Sequence, residues 1–228
     1  MHVDRPRRCF IVVAMLACPS AARMEQNVWR SRWGTVHIEG DRALLDRPGV
    51  AIIGSRRATH EGRDIAASLA AELAHSGIVV ISGLAAGIDG VAHEAAMHAG
   101  GRTIAVIGTS LDSAYPREHA SLQARIARDH LVVSPFASGT PTAPWHFPKR
   151  NRLMALLAQA TVLVEASATS GTRHQVTACA SLGRPIFVRA PLVDRLAWLN
   201  TPGVRCHVRV WREPSEATRL LAEHLSAD

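Results

Sequence analysis

Val50-Ala-Ile-Ile-Gly-Ser-Arg-Arg57 is a short continuous apolar run that breaks at a glycine and turns polar and basic at once. Such a run, bounded by turn signals, reads as a fully buried strand. After it, the spacing of Ile65, Leu69, Ala70 and Leu73 predicts a helix that stops at Gly77. The same unit recurs twice downstream. Ile78 to Ile81 is a second strand signal, followed by Ser82-Gly-Leu-Ala-Ala-Gly-Ile-Asp-Gly90 and a helix carrying Val91, Ala92, Ala95, Ala96 and Ala99. Thr103 to Ile107 is a third, followed by Gly108-Thr109-Ser110 and a helix starting near Pro116. Further on, Leu131 to Val133, Thr161 to Glu165 and Pro185 to Val188 read as strands. Arg150 to Gln159 and Arg173 to Leu182 read as helices, the second closed by Gly183. The tail adds a strand around His207 to Trp211 and an amphipathic helix from Ser215, with Ala217, Leu220, Leu221 and Leu225 on one face. Upstream, Val36 to Ile38 is a short strand and Asp46 to Gly49 a turn.

Strands alternating with helices imply right-handed crossovers and a parallel sheet covered on both faces. The expected fold is therefore α/β and Rossmann-like, a mostly parallel sheet with helices on both faces. In such sheets the loops leaving the carboxyl ends of the strands line one crevice. Gly54 to Arg57, Ser82 to Gly90, Gly108 to Ser110 and Ala166 to Thr172 should gather there. Gly54, Gly83 and Gly87 would let backbone amides approach a phosphate, while Ser55, Arg56 and Arg57 would supply a hydroxyl and two charges. Tight-turn geometry explains these glycines equally well. The spacing Gly83-x-x-x-Gly87-x-x-Gly90 matches neither a dinucleotide fingerprint nor a Walker loop, so no cofactor is implied. Asp89 is placed to complement a helix N-terminus. Glu165, ending a strand, would orient an arginine, bind a ribose hydroxyl or sit in an ordinary ion pair.

The second informative stretch is Trp145-His-Phe-Pro-Lys-Arg-Asn-Arg152. Guanidinium and ammonium groups neutralise phosphates, and aromatic faces offer stacking surfaces for unpaired bases. Trp145, Lys149, Arg150, Asn151 and Arg152 are therefore candidates for binding nucleic acid. A proline-broken loop with solvated charges is the competing reading. The stretch follows Ser134 to Pro148, a segment too rich in Pro, Gly, Ser and Thr to be regular, and long ordered loops in compact domains are often functional.

Composition points the same way. The formal charge of +7 and pI near 10.4 favour an anionic partner. Cys9, Cys18, Cys179 and Cys206 show no Cys-x-x-Cys spacing, which argues against a zinc ribbon or a disulfide framework. His93, His98, His119, His146 and His174 share no ligand spacing with a carboxylate, so no metal is expected. Neither a Gly-x-Ser-x-Gly elbow nor a cysteine in a nucleophile motif is present. Arg5, Arg7 and Arg8 precede an apolar run from Cys9 to Cys18 and the small residues Ser20, Ala21 and Ala22, the shape of a secretory signal. The run is too short to span a bilayer as a helix, and a start at Met24 is the competing explanation. The expected organisation is a lead-in over 1–46, signal-like to about residue 23, then one domain over 47–228, in a cytoplasmic protein with no membrane anchor.

Several separated motifs, taken together, resemble the DNA-processing protein A family (DprA, also called Smf). They are Val50-Ala-Ile-Ile-Gly-Ser-Arg56, Ile81-Ser-Gly-Leu-Ala-Ala-Gly-Ile-Asp-Gly-Val-Ala-His93, Thr103-Ile-Ala-Val-Ile-Gly108, Tyr115-Pro-Arg117, Phe147-Pro-Lys-Arg-Asn-Arg152 and Glu165 to Gly171. The resemblance covers about Pro48 to Pro191. It implies an extended Rossmann fold that binds single-stranded DNA in a basic pocket, hands it to the RecA recombinase in natural transformation, self-associates into dimers and has no catalytic turnover. It places the DNA pocket on Gly54, Ser55, Arg56, Gly83, Gly87, Lys149, Arg150, Asn151 and Arg152. The accessory N-terminal helical and C-terminal winged-helix domains of many members are expected to be absent. One segment departs from the pattern. Where the family continues with Ser-Leu-Ile-Thr-Ala, this chain reads Ser170-Gly-Thr-Arg-His-Gln-Val176. That is similar to the Pro-Gly-Gly-x-Gly-Thr-x-x-Glu motif of the cytokinin-activating phosphoribohydrolases, the lysine-decarboxylase-like (LOG) proteins. Ser170, Gly171 and Thr172 thus join the candidate phosphate site, and the alternative function is a nucleotide-binding sensor or hydrolase. Gln175 stands where those enzymes carry their glutamate, so hydrolysis would lack its carboxylate.

Overall fold

A computed structural model describes residues 28–31 and 34–226. The signal-like segment, Cys9 and Cys18 lie outside the described residues. The strands are β1 (Val28–Ser31), β2 (Gly34–Gly40), β3 (Gly49–Gly54), β4 (Val79–Ser82), β5 (Thr103–Val106), β6 (Leu131–Ser134), β7 (Ala160–Glu165), β8 (Ile186–Arg189) and β9 (Val208–Trp211). The α-helices are α1 (His60–His75), α2 (Ile88–His98), α3 (Ala120–Asp129), α4 (His146–Leu157), α5 (Thr172–Ser181), the short α6 (Ala190–Val193) and α7 (Pro202–Arg205), and α8 (Pro214–Ser226).

The described strands form one sheet in the order β1-β2-β6-β5-β4-β3-β7-β8-β9. From β6 to β9 every neighbouring pair is parallel. The strands β1 and β2 extend the β6 edge antiparallel. The central strands alternate strictly between the two faces, as a period of two requires. Ala51, Ile53, Val79, Ile81 and Leu163 face α4 and α5, which bury Leu153, Met154, Val176 and Cys179 against them. Val50, Ile52, Val80, Val162 and Val164 face α1, α2 and α8, which bury Leu69, Leu73, Ala92, Ala96, Ala217 and Leu221. A smaller cluster packs Leu122 and Ile126 of α3 on Ala105 and Val132. The chain steps from β3 out to β6 with α1 to α3 on one face, then α4 carries it back across the other face to β7. Right-handed crossovers require that change of face when the direction of travel reverses. The reversal puts a topological switch point between β3 and β7, where such sheets open a crevice at their carboxyl ends.

The expected α/β, mostly parallel architecture is therefore the observed one, with three differences. The sheet takes in residues ahead of the 46/47 boundary: β2 pairs with β6, and Val36, Ile38 and Leu44 belong to the main core. Helix α4 begins at His146 and not at Arg150, because Pro148 falls in the first turn, where a missing N–H leaves nothing unbonded. Ahead of α3, Arg117–His119 forms a 3-10 turn with Pro116 at its N-cap, so the proline lies just outside the helix. Among the described residues no helix is long and apolar enough to cross a membrane.

His93 of α2 is fully buried against β5. The Thr103 hydroxyl donates to the Val80 carbonyl at 2.7 Å, so His93 Nδ1 must donate to Thr103 Oγ1, also at 2.7 Å. Burial pushes the imidazole from its ordinary 6.5 down to about 3. The unfolded chain takes up this proton near pH 6.5, whereas the folded one refuses it until about pH 3. Stability present above pH 6.5 is therefore lost as the pH falls through that window. Urea titrations at pH 7 and pH 5 should show a loss attributable to His93 of about 2 kcal/mol, and a His93→Gln variant should lose less over the same interval. Equal pH dependence in the two proteins would show that His93 titrates normally.

Candidate nucleic-acid interface

At the carboxyl edge of the sheet the loop after β3 nests into the loop after β4. The Ile88 N–H donates to the Ser55 carbonyl at 3.2 Å. Gly87, at φ +79°, lies under that loop, and a β-carbon there would meet the Ser55 oxygen at 2.2 Å. At Gly54 a β-carbon would come within 2.4 Å of the Ile88 side chain. These glycines thus let the protein approach itself. The Ser55 hydroxyl accepts from the Arg57 N–H at 3.1 Å, which tightens the turn and leaves Arg56 and Arg57 exposed. Leu84 is held at φ 58°, and its carbonyl accepts from His119 Nδ1 at 2.9 Å.

Helical phase divides the basic stretch. With Trp145 as the N-cap of α4, Lys149 and Arg152 fall three residues apart on the exposed face, while Arg150 and Asn151 turn inward. Arg150 is 5% exposed. Its guanidinium donates to the carbonyls of Gly83 and Val106, and its Nε donates to Asn151 Oδ1 at 2.9 Å. Gly83 has no room for a side chain because a β-carbon would meet this guanidinium and Asp89. Asp89, buried in the first turn of α2, accepts from the Ala85 N–H at 3.3 Å. Burial raises its carboxyl above the ordinary range, and the Arg150 charge opposes that rise most strongly.

Around this buried pair the surface is aromatic and cationic. The Arg56 guanidinium lies 5.5 Å from the centre of the Phe147 ring, which also meets Tyr115 at 5.2 Å. Phe136 stacks on His146 at 3.7 Å and carries the Lys149 ammonium at 5.1 Å. Trp145 sets its ring edge-on to both, at 5.8 Å from Phe136 and 4.2 Å from His146. Tyr115 and Trp145 remain 48% and 60% exposed, so each presents ring surface to solvent.

The third group sits at the start of α5. Ser170 Oγ accepts from the Thr172 hydroxyl at 2.9 Å and from its N–H at 3.3 Å, so the Ser170 hydroxyl is engaged by the first residue of α5. Gly171 is exposed and Thr172 buried. Gln175 is buried, with its amide placed to donate to the Asn151 carbonyl at 2.6 Å and to accept from the Ala155 N–H at 3.3 Å. Among the described residues Glu165 pairs with no arginine. Its carboxylate accepts from the Thr59 N–H at 3.1 Å and hydroxyl at 2.6 Å, which closes the β3–β7 switch point over the start of α1. A carboxylate there repels anions from that helix end, so the α1 N-terminus is not a phosphate site.

The family model for DNA recombination-mediator protein A matches residues 30–204. The chain belongs to that family. DNA processing protein DprA of Streptococcus pneumoniae is 40% identical over 160 residues, 70% of this chain and 56% of that protein. DprA of Bacillus subtilis is 35% identical over 150 residues, 65% of this chain and 50% of that protein. The chain thus spans about half the length of these curated relatives. Its fold superposes on the X-ray structure of S. pneumoniae DprA with a TM-score of 0.72 at 34% identity, covering 83% of this chain and 66% of that one. On DprA from Helicobacter pylori, in a structure described as giving insight into its single-stranded DNA binding mode, the TM-score is 0.74 at 27% identity, covering 89% and 94%.

The extended Rossmann-like fold expected from the resemblance is the fold these DprA structures share. Sequence reading selected the cations and Trp145 but not Tyr115, Phe136 or Phe147 as ring partners. Phe147 was legible as part of the basic stretch. Phe136 and Tyr115, in separate loops, carry no local signal that they meet it.

Replacing Gly87 by Ala is expected to lower stability by about 2 kcal/mol or more, since it imposes both an unfavourable positive φ and a clash with backbone. Urea denaturation measures this, and an unchanged midpoint would show that the two loops are not nested.

Proposed function

We propose that the chain binds single-stranded DNA along the carboxyl edge of its sheet and acts in DNA processing and recombination without catalytic turnover. The observation that carries this reading is the alternation of exposed rings with cations: Tyr115 beside Phe147 and Arg56, then Trp145 beside Phe136 and Lys149. Every base has a face that stacks on an aromatic ring, with a typical contribution of about 1–3 kcal/mol per base. In a duplex those faces are already covered, so exposed rings select unpaired strands. Lys149 and Arg152, one helical turn apart, and Arg56 and Arg57 would meet the phosphates between the stacked bases. Gly54, Ser55, Gly83 and Gly87 shape the loops that carry these cations, and Asn151 fixes Arg150.

In this reading the bound strand is delivered to a recombinase of the RecA type, the role that resemblance to DprA implies in natural transformation, by a homodimer working in the cytoplasm. The H. pylori relative, described by its single-stranded DNA binding, supports the ligand. No cofactor enters the mechanism. The competing sensor or phosphoribohydrolase reading rests on Ser170, Gly171 and Thr172, whose two hydroxyls bond each other, and on the position of Gln175, whose amide faces α4. No specific observation favours it.

Fluorescence anisotropy with labelled oligothymidylate and with a duplex of equal length tests the proposal. Single strands should bind more tightly, and Arg56→Ala and Arg152→Ala should each reduce the slope of log K against log salt by about 0.7. Trp145→Ala should weaken binding by about 1–3 kcal/mol with the slope retained. Equal affinity for both oligonucleotides, or unchanged slopes in both arginine variants, would overturn the interface.

A further inference from the structure

We infer that Arg150 is a positioning residue of the groove and not one of its phosphate ligands. The inference rests on the single-strand reading, but its structural grounds are independent of DNA. With 5% of the residue's surface exposed, Nη1 donates to both Gly83 O and Val106 O and Nε donates to Asn151 Oδ1, so these donors are committed to the protein's own backbone and helix. Those carbonyls belong to the exits of two different strands, β4 and β5. One guanidinium nitrogen on α4, Nη1, therefore clamps the loop that carries Leu84 to Gly87 and the loop that leads past Gly108 to Tyr115.

Both loops feed the interface. Gly87 supports the Ser55–Arg56 turn, and Gly108 lies directly beneath Phe147, whose ring a β-carbon there would meet at 2.8 Å. Releasing the clamp would displace Arg56, Phe147 and Tyr115 relative to one another. Asp89 supplies the countercharge, since each of the pair is the largest favourable influence on the other against burial. A buried pair with cancelling charges adds little field to the groove. The counterions released on DNA binding are then those of Arg56, Lys149 and Arg152, while Arg150 governs how well these are arranged.

A lysine retains the charge but has neither the Nε–H that anchors Arg150 to Asn151 nor the planar group that fixes the donor between the two carbonyls, so Arg150→Lys separates the two roles. Hydrogen exchange of the full chain should quicken in peptides covering residues 82–90 and 106–115, with the α8 region unchanged. Anisotropy with oligothymidylate should show binding weakened roughly tenfold at every salt concentration, the loss of about one charge-assisted hydrogen bond's worth of order, with the log–log slope unaltered. Arg152→Ala, by contrast, should lower the slope with no change in exchange. A drop of about 0.7 in the slope of Arg150→Gln, which removes the charge, would mark a direct phosphate contact and overturn the inference, as would unchanged exchange in both loops of Arg150→Lys. If those variants do not fold, Asp89→Asn, which removes the countercharge, is read by exchange in the same two peptides, and unchanged exchange there again overturns the inference. If the parent protein binds no oligonucleotide, the DNA reading fails, while the exchange arm still decides whether Arg150 holds the loops.

Discussion

A guanidinium buried between the exits of two parallel strands is the contact on which the carboxyl edge of this protein depends. Arg150 reaches from α4 to the carbonyls of Gly83 and Val106, at the exits of β4 and β5, and Asp89 of α2 balances its charge from the opposite face of the sheet. An ion taken out of water is tolerated only when its charge is countered and its hydrogen bonds are complete. The surroundings counter the charge and engage Nη1 and Nε, and that arrangement in turn constrains them. Position 83 must be glycine because a β-carbon would occupy the guanidinium's place.

Once α4 is fixed in this way, its first turn determines what faces solvent. Phe147 covers Gly108 and receives Arg56, His146 stacks against Phe136, and Trp145 stands at the rim. Rings and cations alternate because a helix with one face committed to the sheet can only turn Lys149 and Arg152 outward. The two arginines separated by a single residue in sequence therefore do different physical work. One is part of the interior, the other is free to meet a polyanion.

The switch point between β3 and β7, where ligands of open α/β sheets usually sit, is closed in this chain by the Glu165 carboxylate on Thr59. The surface proposed for DNA lies instead toward β4 and β5, at the first turn of α4. Gly54, Gly83 and Gly87 are small so that protein can lie against protein.

The alternation of apolar runs and helical spacings is enough, by itself, to determine the strands from β3 onward, their helices and the parallel sheet, because burial on both faces leaves a periodic record in the chain. It determines the charge of the groove too, since Arg56, Lys149 and Arg152 stand in the loops and the helical turn that topology brings to one edge. Tertiary structure alone decided which basic residues point outward. Local pattern near Pro148 is compatible with either a loop or a first helical turn, and the phase of α4 is set by what its inner face can bury. It likewise decided that β1 and β2 join the sheet, that Tyr115 and Phe136 meet Phe147 and Trp145, and that Glu165 seals α1. Each of these is a contact between residues far apart in sequence, and no periodicity within a single segment can encode it.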